Sequence, residues 1–375
     1  MKKMTFNTND VIQGLSVLSS VVNQKNSLPI LSCLKIENNS ENTIKVTSSN
    51  SDLWLSIVLN VIDIDSDTTP ICVNANDFIK ALRALGDAMV TITVDGEKHT
   101  INCDYTNGRF SMSYEDATQF PEPQMTIDDG TKINVIGGGV LHAIDSTVFA
   151  VSCDKLRPIM NGVHFVVTPT SLMSVASDGQ KLANSCTYGV FDVKEEKSVT
   201  IPTKACIVTR DVLSLYDSGN IDMAFNDKAV AFSNDIFKLT ARLTEGRYPN
   251  WNSVIPTDSN NFVALLKDDM SQALKRVIPM GNANSELIIL DIEENKIVIS
   301  AEDVEFSKSA KETIPCLHNG EHITIGFKGS SLQAILSNLD NDKITIEFTK
   351  PNRAALFHNG EKDNYLSLLM PMAIM

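Results

Sequence analysis

The sequence KGSSLQAILSNLDNDKITIEF, residues 328–348, changes its hydrophobic period once along its length. Leu332, Ile335 and Leu336 follow the i, i+3, i+4 spacing of a helix that buries one face. Ile344–Phe348 then alternates apolar and polar residues, which is the period of a half-buried strand. The stretch therefore predicts one helix followed directly by a strand.

The same pattern occurs three times along the chain at near-equal spacing. In each copy a first helix precedes strands, and a second helix precedes three short strands separated by turn residues. We predict first helices over 7–22, 137–152 and 266–281, and second helices over 74–85, 202–216 and 328–339. The turn pairs behind the second helices are Asp95-Gly96 and Asn107-Gly108, Asn226-Asp227 and Asn234-Asp235, and Pro351-Asn352 and Asn359-Gly360. Asp-Gly and Asn-Gly between alternating apolar runs are strong hairpin signals.

Three repeats in 375 residues correspond to domains of about 125 residues, a common domain size. We predict domains over 1–122, 123–252 and 253–375, each of the α+β class with two helices packed on antiparallel sheets. Proline-containing junctions favour short, stiff linkers. A body built by repeating one module in this way is predicted to form a ring or an arc.

The composition is that of an ordinary soluble domain, with 43% hydrophobic and 21% charged residues. No stretch approaches the roughly 20 apolar residues of a membrane-spanning helix. The longest, Leu53–Ile62, is predicted as a buried or edge strand, and we expect a cytoplasmic protein. The seven cysteines are spread evenly without a C-x-x-C motif, which indicates reduced, structural thiols.

The formal net charge of −14 argues against an ordinary DNA-binding surface. The predicted helices nevertheless carry slightly more basic than acidic residues, whereas the strands and loops are acidic. This distribution favours a mildly positive, helix-lined surface inside an acidic shell. Scattered, solvated lysines are the open alternative.

Candidate catalytic and metal-binding motifs are incomplete. Asp63-x-Asp65-x-Asp67 resembles the start of a calcium loop, but Thr68 stands where Gly is required. His318 and His322 are separated by a turn-forming Asn-Gly pair and so form no helical zinc pair. Gly137-Gly138-Gly139 lacks the spacing of a phosphate-binding loop. We expect a protein that is not an enzyme and has no catalytic residues, metal or cofactor.

The C-terminal run Leu366–Met375 is rich in apolar residues and methionines. Flexible thioethers suit a surface that accepts several partners. A final strand that simply completes a domain is an equally open interpretation.

Six short motifs occur in an order that resembles the bacterial DNA polymerase III beta subunit, the replicative sliding clamp, over essentially the whole chain. They are Ser27-Leu-Pro-Ile-Leu31, Arg157-Pro-Ile-Met-Asn-Gly-Val163, Val175-Ala-Ser-Asp-Gly-Gln-Lys-Leu-Ala183, Glu245-Gly-Arg-Tyr-Pro249 with Val254-Ile-Pro256, Ile325-Gly-Phe327 and Leu369-Met-Pro-Met372. The resemblance implies two chains joined head to tail in a ring of six similar domains that encircles double-stranded DNA without sequence preference. Its implied partners are the polymerase III alpha subunit, the clamp loader, other polymerases and repair proteins.

The resemblance also implies site residues. The peptide pocket falls on Met160, Ser177, Gly179, Lys181, Leu182, Pro249, Val254, Leu368, Met370 and Met372. The residues that would face DNA are Lys25 and Arg157 together with the helix residues Lys80, Arg83, Lys204, Arg210, Lys267, Lys275 and Arg276. The dimer interface falls on Phe110, Met112 and Met280.

The chain departs from the family pattern at several of these places. Gln180 and Lys181 stand where His-Arg is common, Ser253 replaces a frequent Arg, and Pro279 lies at the expected interface. The first predicted helix carries no basic residue. An interaction scaffold that does not encircle DNA, and an enzyme with an unrecognised site, are the alternative hypotheses.

Overall fold

The computed structural model describes residues 2–23, 28–65, 69–123, 125, 127, 129–216, 219–259, 261–359 and 364–374. Contacts divide the chain into two compact units. The first contains Met1–Leu141 and Phe191–Glu245, and the second contains His142–Val190 and Gly246–Met375. Among the described residues no helix has the length and apolarity needed to cross a membrane.

The elements follow the predicted threefold repetition. The first repeat has β1 (Lys2–Asn7), α1 (Thr8–Val21), β2 (Cys33–Ser40), β3 (Thr43–Ser49), β4 (Leu53–Asn60), β5 (Asp63–Ile64), β6 (Ile71–Asn74), α2 (Ala75–Leu85), β7 (Met89–Asp95), β8 (Thr100–Tyr105) and β9 (Gly108–Asp116). The second has β10 (Thr131–Ile136), α3 (Gly137–Asp145), β11 (Gly162–Thr168), β12 (Ser171–Ser177), β13 (Lys181–Tyr188), β14 (Lys197–Pro202), α4 (Thr203–Leu215), β15 (Asn220–Phe225), β16 (Ala229–Ser233) and β17 (Phe237–Arg242). The third has β18 (Asn261–Leu266), α5 (Lys267–Val277), β19 (Leu287–Ile292), β20 (Lys296–Asp303), β21 (Lys308–Pro315), β22 (Leu317–Asn319), β23 (Ile323–Lys328), α6 (Gly329–Ser337), β24 (Lys343–Phe348), β25 (Ala355–His358) and β26 (Tyr365–Leu369).

The sheets are antiparallel and continue from one repeat into the next. In the first unit the order is β10-β15-β16-β17-β4-β3-β2-β6-β9-β8-β7-β1-β5, with Phe237 of β17 opposite Ile57 of β4. The stretch predicted as a buried or edge strand, Leu53–Ile62, is thus largely an interior strand. The second unit contains the order β11-β12-β13-β26-β25-β24-β18-β22 and a separate sheet β21-β20-β19-β23. The predicted α+β class is confirmed.

A hydrogen bond of the same kind closes the helix pair in every repeat. The amide at the start of the first helix donates to a carbonyl just beyond the end of the second helix, which satisfies one of the amides that a helix start leaves unpaired. The three bonds are Thr8 N to Ala88 O at 3.0 Å, Gly137 N to Gly219 O at 2.7 Å and Lys267 N to Asp342 O at 2.8 Å. The sequence repeat is therefore also a repeat of local geometry.

Two first helices are shorter than predicted. α3 ends at Asp145 because the hydroxyls of Ser146 and Thr147 donate back to the carbonyls four residues earlier, each at 2.6 Å, and such bonds compete with helix continuation. α5 ends at Val277 and tightens into a 3-10 turn through Met280. Pro279 explains this end, since it has no N–H to donate in a longer α-helix.

Candidate functional site

An apolar cluster lies where the second and third repeats join within the second unit. Its buried residues come from β12, β13, β25 and β26 and from the residue before β25, and Leu182 lies directly opposite Leu368 in the strand register. They are Val175, Leu182, Ala354, Leu356 and Leu368, with Trp251, Ile255 and Leu366 packed against them and partly exposed. The five buried residues form an apolar base, which we call the floor, and the three partly exposed side chains pack against it. The cluster, together with the turn between β12 and β13, is called the cleft below.

The turn between β12 and β13 frames one side of this floor. Gly179 has φ +92°, a conformation that glycine adopts without strain. Ser177 Oγ accepts from Gly179 N at 3.1 Å and donates to Lys181 O at 2.8 Å. The Asp178 carboxylate accepts from the amides of Gln180 and Lys181, each at 2.8 Å, and pairs with the Lys181 ammonium. Burial opposes ionisation of Asp178, but these hydrogen bonds outweigh it and hold its pKa below the ordinary value.

Arg157 lies against this turn. Its Nη2 donates to Asp178 O at 3.4 Å and its Nε donates to Asp154 Oδ2 at 2.9 Å. A Cβ added at Gly179 would lie 3.3 Å from Arg157 Nη1. The residue predicted as a DNA contact is therefore placed at the rim of the apolar cluster, with half of its side chain exposed.

A second wall comes from the segment after Gly246, which has φ +126°. Tyr248 is buried and stacks on His164, with ring centroids 4.6 Å apart and planes 7° from parallel. Burial raises the pKa of Tyr248 to about 12 and lowers that of His164 to about 4. Pro249 and Val254 follow with exposed side chains, on the same segment as Trp251.

The C-terminal residues complete the arrangement. Met370 N donates to Gln180 O at 2.7 Å, which places the 40% exposed Met370 beside the turn. Met372 is half-buried, and Met160 is buried at the end of a 3-10 turn that begins at Pro158.

Strand pairing and hydrogen bonding bring together six of the predicted pocket residues, Met370 through its bond to Gln180. They are Ser177, Gly179, Lys181, Leu182, Leu368 and Met370.

Sequence reasoning missed several members of the apolar cluster. Trp251, Ile255 and Leu356 lie outside the predicted set, as does the rim position of Arg157. The signal of Leu356 in the sequence was weak, because apolar alternation in β25 marks two faces without saying which face borders a cleft. Trp251 begins a 3-10 turn and Ile255 follows it, so neither lies in a periodic element.

Most of the basic residues predicted on the helices form hydrogen bonds or ion pairs within the protein. Lys204 Nζ donates to Val21 O, at the C-terminal end of α1, at 3.0 Å. Lys267 Nζ donates in the same way to Leu339 O, just beyond α6, at 2.8 Å. Both ammonium groups thus lie at helix C-terminal ends, where positive charge is stabilising.

The guanidinium groups of the helices are also paired. Arg83 donates to Ser16 Oγ at 2.7 Å, Arg210 pairs with its neighbour Asp211 at 2.8 Å, and Arg276 forms a two-point pair with Glu312. Lys80 and Lys275 are exposed, and within the described part of the chain neither has a hydrogen-bond or ionic partner. Lys25 lies outside the described residues. The predicted basic surface is thus thinner than a count of residues indicates.

The residues predicted for a dimer interface lie on or near two strand edges. On β9, residues 108–113 pair with β8 on one side and with no described strand on the other, and Phe110 and Met112 are half-buried there. β21 is the edge of its sheet in the second unit, and α5 packs against it. Met280, in the turn that follows α5, is 40% exposed.

Titratable side chains form no group suited to a metal ion among the described residues. His322 pairs with Asp291 at 2.6 Å, and this bond lowers the pKa of the Asp291 carboxyl. None of the seven cysteines, all of which lie within the described residues, forms a disulfide bond.

The repeated pair of helices on antiparallel sheets is the fold of the sliding clamps. A crystal structure of the clamp from Pseudomonas aeruginosa bound to griselimycin covers 100% of both chains, with a TM-score of 0.92 at 22% identity. The DNA polymerase III beta subunit from Thermotoga maritima also covers 100% of both chains, with a TM-score of 0.90 at 19% identity.

Sequence comparison gives the particular family. Models of the N-terminal, central and C-terminal domains of the DNA polymerase III beta subunit match residues 2–125, 137–250 and 252–373. The beta sliding clamp of Vibrio cholerae is 24% identical over 378 residues, covering 99% of this chain and 100% of the relative. The chain belongs to the DNA polymerase III beta subunit family. The boundaries at 122/123 and 252/253 stay a prediction.

Proposed function

We propose that the chain is a replicative sliding clamp that encircles duplex DNA as a head-to-tail homodimer and holds polymerases on their template. The observation that carries the proposal is the apolar cleft with its hydrogen-bonded rim, in a chain that matches the beta subunit models along its length. We propose no catalysis and no cofactor.

The two open strand edges support the ring. β9 and β21 belong to different repeats, so a contact between β9 of one copy and β21 of another is heterologous and generates a closed ring when the rotation permits. Half-buried Phe110 and Met112 on one edge and exposed Met280 near the other would bury apolar surface on pairing, which favours association.

The charge distribution supports encirclement in preference to tight DNA binding. Phosphate contacts dominate the affinity of ordinary DNA-binding proteins, and the affinity rises with the number of basic groups that reach the backbone. Lys80 and Lys275 are exposed and have no partner among the described residues, whereas Lys204 and Lys267 are bound to helix ends. A ring of net charge −14 per chain would be retained by topology and would move with little resistance.

The cleft supports docking of short peptides. Its floor suits the apolar end of a linear motif, while the exposed groups of the turn and Arg157 can fix the direction of the peptide backbone. The proposed partners are segments of the polymerase III alpha subunit, the clamp loader, other polymerases and repair proteins.

The docking half of the proposal is tested by fluorescence anisotropy with a labelled Gln-Leu-Ser-Leu-Phe peptide. We expect micromolar binding, on the order of 8 kcal/mol, to the parent protein. The double variant Met370→Ala, Pro249→Ala should bind at least tenfold more weakly, a loss of about 1.4 kcal/mol. Absence of binding by the parent up to near-millimolar protein would refute peptide docking.

The ring half is tested by loading the protein onto DNA and comparing its retention on nicked circles with its retention on linear molecules. The mass of the protein in solution is measured alongside. Met112→Glu places a charge at the open edge of β9 and should abolish both the dimer and retention on circles. Met89→Glu is the matched control, since Met89 is 43% exposed on β7 of the same repeat. A monomeric parent that ignores DNA would favour the scaffold hypothesis instead.

A further inference from the structure

The last described residues form a strap, 370–374, that connects two sheets of the second unit. At one end Met370 N donates to Gln180 O at 2.7 Å, beside the turn of the cleft. At the other end Met372 N donates to Gly326 O at 2.8 Å and forms an isolated bridge to that residue of β23. Pro371 lies between them and has no N–H. Both backbone bonds of the strap therefore flank one rigid residue.

The strap passes so close to residue 326 that a side chain there would press against it. A Cβ at Gly326 would lie 2.9 Å from Leu287 Cδ1, 3.0 Å from Met372 O and 3.1 Å from Ile374 Cγ1. The leucine methyl could rotate away, but the carbonyl of Met372 can move only if the strap moves. Gly326 has no positive φ, so close approach and not backbone conformation is what requires glycine here.

We infer that Gly326 is a positioning residue for the peptide cleft. It lies on β23, outside the floor and the rim, and acts through the strap on Met370. The inference rests on the proposed docking function and adds to it a dependence of the cleft on the sheet β21-β20-β19-β23. A shift of the strap at Met372 is transmitted across Pro371 to the Met370 side chain, while the floor residues Leu182 and Leu368 stay paired.

The test compares Gly326→Ala with Gly96→Ala, which adds the same methyl group where nothing lies within 4 Å among the described residues. Anisotropy with the Gln-Leu-Ser-Leu-Phe peptide should show binding weakened roughly tenfold for Gly326→Ala and unchanged for the control. Methionine-methyl NMR of the free proteins supplies a readout that does not depend on peptide. The signals of Met370 and Met372 should shift in Gly326→Ala, and that of Met223, in the core of the first unit, should not.

Ile374→Ala provides a gentler change should Gly326→Ala fail to fold. It trims the 42% exposed side chain whose Cγ1 lies 3.1 Å from the position of a Cβ at residue 326. We expect a two- to threefold loss of peptide affinity, roughly 0.5 kcal/mol. Normal peptide affinity in a folded Gly326→Ala, or in Ile374→Ala, would overturn the inference while the parent's binding still supports docking. No binding by the parent would instead refute the docking function itself.

Discussion

The cleft of the second unit and the basic helix faces use their charged groups in opposite ways. At the cleft, Arg157 and Lys181 bond to the turn that borders the apolar floor, so their charges hold that turn in a fixed geometry. On the helices, Lys204 and Lys267 bond to carbonyls at helix ends, so their charges stabilise the scaffold and are withdrawn from the surface. Peptide recognition requires fixed geometry, whereas a ring that slides benefits from few fixed contacts.

The largest effect should come from acid, through the buried His164 that stacks on Tyr248 beside the cleft. Burial lowers the pKa of His164 in the folded protein to about 4, whereas the pKa of a histidine in the unfolded chain is near 6.5. Between these two pH values the unfolded state therefore binds more protons at this residue than the folded state does. Stability should therefore fall as the pH drops from 6.5 towards 4, by up to about 3 kcal/mol, with no further loss from this group below pH 4. Urea unfolding at a series of pH values measures this slope. In His164→Gln the slope should be markedly flatter, and an unchanged slope would contradict the prediction.

Removal of a wall of the cleft should affect peptide binding alone. Trp251 packs on the apolar floor while remaining partly exposed, so Trp251→Ala should weaken peptide binding by about 2–3 kcal/mol. Isothermal titration measures the loss, and retention on circular DNA should be unchanged. Equal loss of DNA retention would show that the two regions are not independent.

Loss of an internal lysine bond should affect stability alone. Lys267→Met keeps much of the side-chain volume but leaves Leu339 O without its donor, and should cost about 1 kcal/mol of unfolding free energy. Lys275→Met, on the exposed face of the same helix, is the control and should be neutral. Thermal unfolding distinguishes the two, and reduced DNA retention in Lys267→Met at unchanged stability would assign that lysine to DNA.

The smallest effect should come from the exposed lysines. Removing Lys80 and Lys275 together should leave stability and peptide affinity within about 0.5 kcal/mol of the parent. The same change should alter the salt dependence of DNA association slightly, by about one unit of slope for each phosphate that these ammonium groups neutralise. Single-molecule diffusion on DNA at several salt concentrations provides the measurement, and an unchanged salt dependence would remove both lysines from the DNA path.

Local features of the fold were predictable, and distant ones were not. The helix and strand within residues 328–348 follow from periodicity, because residues three or four apart share one face of a helix and residues two apart share one face of a strand. The early end of α3 depends on two hydroxyls that bond backward, which periodicity does not register. The role of Lys204 depends on Val21, 183 residues away, and no local pattern encodes that bond. The bridge from Met372 to Gly326 escaped prediction for the same reason.

The different exposure of the seven cysteines allows the protein to be labelled selectively without mutation. Cys153 is exposed, Cys186 is half-buried and the other five are buried. Burial raises the pKa of Cys72 and Cys103 to about 12, which leaves little thiolate there to react. A maleimide dye should therefore attach first at Cys153, one residue from the carboxylate that holds Arg157. The natural chain thus provides an optical reporter of the cleft rim, without an introduced cysteine.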